Sequence, residues 1–139
     1  GGALAPADLD LEGGLVEVLV TAAREGLLAS AHDVSSGGLA VTLAESALGG
    51  GLGVEYHPEA GVPPAQSLFS ESPGRVIVSV ASHHVAAFAR LCRDAGVPIR
   101  DGGTVGGEQF VIGTLVDLTL AEVRAAFEAG VPAVAEAQP

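Results

Sequence analysis

The sequence predicts an α/β or α+β domain in which a single mixed β-sheet is covered by helices. Apolar residues recur at helical spacing in several segments, and short runs rich in β-branched residues lie between them. Glycine or proline follows most of these segments, as at the ends of helices and strands. The chain has 139 residues, 48% of them hydrophobic, which is enough for one domain with a core.

The first predicted helix spans residues 12–26, where apolar side chains recur three and four positions apart. Asp8 or Asp10 is expected to cap it, because a carboxylate can accept hydrogen bonds from the free amides of a first turn. Gly26 is expected to end it. The short apolar stretch at residues 27–34 then predicts a strand.

A turn is predicted at residues 35–38, followed by a helix at 39–48 that the glycines at 49–51 should end. Residues 52–56 have the composition of a short strand. Residues 57–65 contain three prolines and are predicted to form a loop.

Alternating valines and isoleucine predict a buried strand at residues 75–81. Ser82 is expected to cap a helix at residues 83–95. Residues 99–116 contain two short strands on either side of a glycine pair at 106–107, and this arrangement favours a hairpin.

The last predicted helix begins after Thr119, and Glu122 completes a capping box with it. We expect residues 1–11 to be a linker, residues 12–131 to form the domain and residues 132–139 to be a tail. The sequence contains no methionine, so we also expect the chain to be excised from a longer protein.

The formal net charge is −11, and the cationic side chains are all arginines. Such acidity argues against non-specific binding to nucleic acid or to anionic membranes, but it permits a nucleotide ligand. No apolar stretch reaches the roughly 18 residues of a membrane span, so we expect a cytoplasmic protein. Cys92 is the single cysteine, which excludes an intrachain disulfide and favours a buried structural thiol.

The first candidate site lies where the strand at 27–34 passes into the helix at 39–48. Such a junction exposes unpaired backbone amides and the positive end of a helix dipole, and both suit a phosphate. Asp33 could hold a magnesium ion that bridges phosphates. The candidate nucleotide- and phosphate-binding residues are His32, Asp33, Ser35, Ser36, Gly37 and Gly38. A structural alternative stays open, in which Ser36 caps the helix, the glycines allow tight packing and His32 pairs with Asp33.

The second candidate site is the run Leu68-Phe69-Ser70-Glu71-Ser72-Pro73-Gly74-Arg75. A carboxylate can accept hydrogen bonds from a polar substrate, and arginine can bind phosphate through two parallel hydrogen bonds. The candidate substrate-binding residues are therefore Glu71, Ser72 and Arg75. The alternative is a proline–glycine turn with a surface ion pair between Glu71 and Arg75.

Residues 25–41 closely resemble the start of the final domain of the phosphoribosylformylglycinamidine synthase family, large subunit. That family shares a two-domain unit with aminoimidazole ribonucleotide synthetase, selenophosphate synthetase and thiamine-monophosphate kinase. Further segments that match in the same order are 44–47, 51–54, 68–72, 74–75 and 103–107. The resemblance covers roughly residues 12–127.

This resemblance implies a fold like the aminoimidazole ribonucleotide synthetase C-terminal domain, within an ATP-dependent carbon–nitrogen ligase of purine biosynthesis. The enzyme would use ATP, Mg²⁺ and ammonia from a glutaminase subunit, together with the remaining domains of the same synthase. By position, Asp33 would lie near phosphate or metal, and Glu71 and Ser72 near the nucleotide substrate.

Two positions depart from the family pattern, which commonly has aspartate at Ser36 and glutamine at Pro73. Both departures fit a degenerate half of the enzyme, so no catalytic acid or base is assigned and the chain alone is expected to be inactive. Two other hypotheses stay open: a docking domain without its own ligand, and the equivalent domain of a selenophosphate or thiamine-phosphate enzyme.

Overall fold

A computed structural model describes residues 8–136, with side-chain environments described through residue 130. The helices are α1 (Leu9–Arg24), α2 (Gly38–Gly50), α3 (Pro64–Phe69), α4 (Val85–Asp94) and α5 (Leu120–Glu136), and a 3-10 turn at Ser82–His84 precedes α4. The strands are β1 (Leu28–Asp33), β2 (Val54–Tyr56), β3 (Val76–Val80), β4 (Gly103–Val105), β5 (Gln109–Ile112) and β6 (Val116–Thr119). Of the predicted linker and tail, residues 1–7 and 137–139 lie outside the described part.

The mixture of helices and strands confirms the predicted α+β class, but the strands form two sheets where the sequence predicts one. The described residues divide into two compact units. The first unit combines residues 8–42 with 69–101, and the second combines 43–68 with 102–136. Among the described residues, no helix has both the length and the apolarity needed to cross a membrane.

The first unit is built on an antiparallel pair, β1 with β3, in which Ala31 faces Val78 and Asp33 faces Val76. Helices α1 and α4 pack against each other and supply most of its core. The buried core residues are Val18, Ala22, Leu27, Phe88, Cys92 and Val97. Burial of Cys92 confirms its expected structural role, and that burial raises the pKa of its thiol.

The second unit contains a four-stranded mixed sheet in the order β4-β2-β5-β6. Strand β2 is antiparallel to β4 and parallel to β5, and β5 is antiparallel to β6. The hairpin predicted around residues 106–107 is therefore wrong, because β2 lies between the two strands that this hairpin would pair.

The backbone of Gly53 explains how β2 enters between β4 and β5. Its N–H donates to the carbonyl of Gly107 (2.8 Å), and its own carbonyl accepts from the N–H of Gly106 (2.9 Å). A β-carbon at Gly53 would collide with the carbonyl oxygen of Gln109. Only glycine permits so close an approach of two backbones, and this long-range contact pairs the N–H of Gly106 and the carbonyl of Gly107 with Gly53, just before β2, and not across a local hairpin.

Several predicted helix signals are confirmed. The Asp8 carboxylate accepts from the N–H of Leu11 (3.1 Å), so α1 begins at Leu9 and not at residue 12. Gly26, with φ +68°, follows the end of α1. At the other end of the chain, the Thr119–Glu122 capping box is present at the start of α5, which continues to Glu136, past the predicted start of the tail.

Two other local predictions are wrong. Residues 57–65 are not entirely a loop, because α3 begins at Pro64, where the missing N–H and fixed φ of proline suit a first helical position. Ser82 does not cap α4, because it lies inside the 3-10 turn and its side chain makes no capping bond. In that turn the N–H of His84 donates to the carbonyl of Ala81 (2.8 Å), and α4 begins at Val85, two residues after its predicted start.

Candidate functional site

The two candidate segments meet in the first unit, where β1 ends and β3 begins. In an antiparallel pair, the last residue of one strand lies opposite the first residue of the other. Asp33 accordingly faces Val76, and the N–H of Val34 donates to the carbonyl of Arg75 (2.9 Å). The structure therefore brings together the junction at 32–38 and the segment at 70–75, which the sequence treats as separate candidates.

A side chain of the second segment binds the backbone of the first. The N–H of Gly37 donates to Oε1 of Glu71 over 2.8 Å, across 34 positions of sequence. This amide immediately precedes α2, where backbone N–H groups have no partner within the helix. A carboxylate is favoured there by the positive end of the helix dipole. Glu71 thus satisfies one of the amides that the anion-site hypothesis would offer to a phosphate.

The turn before α2 depends on two glycines with positive φ, +83° at Gly37 and +67° at Gly38. A β-carbon on Gly37 would also collide with the side chain of Val41. The N–H of Gly38 donates to the carbonyl of Ser35 (3.0 Å) and closes the turn. The two glycines therefore allow the close packing that the structural alternative expects. They also leave the N–H of Gly37 accessible to Glu71.

Ser35 and Ser36 are both exposed. Among the described residues, the side chain of Ser36 makes no hydrogen bond, so the expected capping role of Ser36 is not present. The carboxylate of Glu71 binds a different amide, that of Gly37, just before the first residue of α2. A phosphate-binding role for the two serines stays a prediction.

His32 and Asp33 interact locally, as the structural alternative expects. Nδ1 of His32 lies 2.8 Å from the carbonyl oxygen of Asp33 and 3.7 Å from its carboxylate oxygen Oδ1. The Asp33 side chain is 75% exposed. Within the described part of the chain, no group of three or more His, Cys, Asp or Glu side chains is arranged to hold a metal ion. A magnesium at Asp33 would need phosphate oxygens and water for most of its six ligands.

The segment at 70–75 is held by its own hydrogen bonds. The hydroxyls of Ser70 and Ser72 lie 2.9 Å apart, and Nη1 of Arg75 donates to the carbonyl of Ser70 (3.2 Å). In this described segment no ion pair joins Arg75 to Glu71, so the surface pair considered from the sequence is absent. The Arg75 side chain bonds within the loop and not to Glu71. The Glu71 carboxylate instead accepts a hydrogen bond from Gly37.

Thr42 is a site residue that the sequence reasoning missed. Its hydroxyl is buried and lies within hydrogen-bond distance of two carbonyls, those of Gly38 (3.1 Å) and Asp33 (3.2 Å). It therefore ties the end of β1 to the first turn of α2. The available signal was a threonine four positions after a helix-starting glycine, where a hydroxyl can bond back to the helix carbonyl.

Comparison with known proteins places these segments in a family. The family profile described as "AIR synthase related protein, C-terminal domain" matches residues 2–116. The phosphoribosylformylglycinamidine synthase subunit PurL of Thermobifida fusca is 44% identical over 137 residues, which is 96% of this chain and 18% of that protein. The PurL subunit of a Parafrankia species is 46% identical over 136 residues, again 18% of its length. The chain thus spans less than a fifth of these relatives.

Solved structures of Thermotoga maritima proteins share the fold. The structure of PurLQS matches with a TM-score of 0.74 and 22% identity, over 85% of this chain and 22% of that one. PurL complexed with ATP also matches with a TM-score of 0.74, at 21% identity, over 88% of this chain and 24% of that one. The sequence profile and the shared fold agree, and the chain belongs to the family of AIR synthase related proteins, as their C-terminal domain.

Proposed function

We propose that this chain is the AIR synthase related C-terminal domain of a phosphoribosylformylglycinamidine synthase. The observation that carries the proposal is the 44% identity with the T. fusca subunit over 96% of the chain. Likeness of that extent favours the synthase over the selenophosphate and thiamine-phosphate enzymes, which were the alternatives on sequence grounds.

In the proposed enzyme, ATP phosphorylates the glycinamide carbonyl oxygen of formylglycinamide ribonucleotide to give an iminophosphate and ADP. Ammonia then displaces phosphate and leaves the amidine. Mg²⁺ and fixed hydrogen-bond donors would stabilise charge on the transferring phosphoryl group. The remaining domains would supply most of this apparatus, because no catalytic acid or base is assigned to this chain.

The contribution of this domain is to enclose part of a nucleotide pocket. In this proposal the turn at 32–38 faces nucleotide phosphate, with Asp33 beside Mg²⁺, and the segment at 71–75 faces the substrate. The support is their meeting at the β1–β3 end of the first unit, through the Gly37–Glu71 and Val34–Arg75 hydrogen bonds. The matching T. maritima PurL structures include complexes with ATP and with ADP, and both are ligands of the expected class.

A glutaminase that releases ammonia is the proposed partner, together with the other domains of the synthase, in the cytoplasm. The T. maritima structure named PurLQS is the structural neighbour that supports an assembly of subunits. The second candidate function is a docking domain without a ligand of its own. The favouring observation is that the amide of Gly37, offered to phosphate by the first hypothesis, is already bound by Glu71.

Exchange of domains tests the proposal. We would replace the matching segment of T. fusca PurL with this chain and assay formation of the amidine from formylglycinamide ribonucleotide, ATP and ammonia. The chimera is expected to turn over, whereas the chain alone is expected not to. A chimera that folds but has no activity would contradict the proposal, as would turnover by the isolated chain.

An Asp33→Ala change in the active chimera then separates the two candidate functions. If the domain encloses nucleotide phosphate, this change weakens ATP binding. If it is only a docking domain, the affinity for ATP stays unchanged.

A further inference from the structure

We infer that Glu71 is a positioning residue, which acts through the amide of Gly37 and holds the turn at 35–38 in its ligand-binding shape. This inference rests on the proposed function. It assigns to Glu71 a role other than direct contact with substrate: its hydrogen bond to Gly37 restrains the neighbouring phosphate-facing turn from outside, in addition to the Gly38–Ser35 bond within the turn.

The geometry of the bond supports this assignment. Oε1 of Glu71 lies 2.8 Å from the nitrogen of Gly37, the length expected for a hydrogen bond with a charged acceptor. Gly37 has a φ of +83°, and a turn built on glycine has much backbone freedom when nothing restrains it. The Glu71 bond restrains the Gly37 end of the turn from outside, while the Gly38–Ser35 bond closes the turn from within.

The loop that carries Glu71 is itself anchored, as a positioning residue requires. Arg75 closes the loop onto the carbonyl of Ser70, and the backbone of Arg75 pairs with Val34. Pro73 adds stiffness, because its ring fixes φ.

Fixing the turn has a consequence for binding. Ser35 and Ser36 lie on the turn and are exposed, so the position of the turn decides where a ligand can meet them. Without the Glu71 bond, a ligand would have to order the turn as it binds, which lowers affinity. The loss should therefore appear in KM for ATP and much less in kcat.

Two substitutions distinguish the effect of side-chain length at residue 71 from the effect of its charge. Glu71→Gln keeps the length of the side chain and an oxygen that can accept from Gly37, but it removes the charge. Glu71→Asp keeps the charge but withdraws the carboxylate by one methylene. In the synthase chimera we expect KM for ATP to rise about 10-fold with Glu71→Asp and to stay within about 3-fold with Glu71→Gln. Glu17→Ala, an exposed change on α1, is the matched control.

If the charge of Glu71 contacted substrate directly, the two variants would behave in the opposite way, with Glu71→Gln impaired and Glu71→Asp tolerated. That result would overturn the inference. A KM for ATP unchanged in both variants would overturn it as well. A fall in kcat alone would do the same, because a positioning role predicts weaker binding.

Hydrogen exchange at the Gly37 amide provides a readout that needs no turnover. In the 139-residue chain, NMR should show this amide protected in the parent and in Glu71→Gln, and exchanging about 10-fold faster in Glu71→Asp. Equal exchange in all three proteins would mean that Glu71 does not hold the turn. If the parent chimera is inactive, the proposed function fails, while the exchange rates still decide whether Glu71 restrains Gly37.

Discussion

The hydroxyl of Thr42 lies 3.2 Å from the carbonyl oxygen of Asp33, so a side chain of α2 is bonded to the last residue of β1. Thr42 is only 2% exposed, and its hydroxyl also lies 3.1 Å from the carbonyl of Gly38. The strand, the glycine turn and the helix are therefore tied together from the buried side. On the other side of the turn, Glu71 binds the amide of Gly37.

Replacement of Thr42 by valine is expected to destabilise the chain. Valine has nearly the same shape but cannot donate, so the hydrogen bonds to the carbonyls of Asp33 and Gly38 are lost, at a cost of about 1–2 kcal/mol in the free energy of unfolding. Urea unfolding measures the change. Thr114→Val, at an exposed turn position, is the control and should stay within about 0.5 kcal/mol of the parent. Equal stability of Thr42→Val and the parent would show that the buried hydroxyl contributes nothing.

Replacement by alanine is expected to have opposite effects on stability at two glycines of the second unit. At Gly53 the new β-carbon collides with the backbone of Gln109, so β2 cannot keep its place and stability should fall by at least about 2 kcal/mol. Gly49 lies near the end of α2 with open space around it, so alanine there should stabilise by up to about 1 kcal/mol. Thermal unfolding of both variants checks the pair. A tolerated Gly53→Ala would contradict the observed strand order.

The capping box of α5 makes stability depend on pH. Hydrogen bonds from the backbone N–H of Thr119, and then from its hydroxyl, lower the pKa of Glu122 below its ordinary value of 4.5. A lowered carboxyl pKa contributes stability above the unfolded pKa, and that contribution is lost as pH falls through the folded pKa.

An NMR titration should therefore give Glu122 a pKa below 4.5. Glu122→Gln keeps an oxygen for the Thr119 donors but does not ionise. The melting temperature of the parent should accordingly fall relative to that of Glu122→Gln as the pH drops below 4.5. Parallel pH profiles for the two proteins would rule out this coupling.

Cys92 should show the opposite dependence, at alkaline pH. Burial raises the pKa of its thiol, so the fold disfavours the thiolate. Its contribution to stability is then complete below the pKa of the unfolded thiol, about 8.5, and declines as pH rises towards the folded pKa.

The stability advantage of the parent over Cys92→Ala should therefore shrink above about pH 8.5. A thiol reagent should label the native chain slowly and the urea-unfolded chain rapidly. Rapid labelling of the native protein would contradict burial of the thiol.

The candidate site was only partly predictable from the sequence. The residues of both segments could be named, because a glycine-rich junction after a strand and a Glu-Ser run before a strand are local patterns. That Glu71 binds Gly37 could not be read from the sequence, since the two positions are 34 apart and no spacing rule connects them. The contact exists because β1 and β3 pair, and strand pairing depends on packing of the whole unit.

The sequence by itself determined the features that neighbouring residues control. The cap at Asp8, the stop at Gly26 and the Thr119–Glu122 box each involve groups within a few positions, where backbone geometry leaves few alternatives. The tertiary structure decided which strands are neighbours, above all the insertion of β2 between β4 and β5 that excludes the local hairpin. Strand pairing depends on the packing of buried side chains and on close approach of backbones that are distant in sequence, as at Gly53. Local residue spacing therefore does not reveal which strands pair.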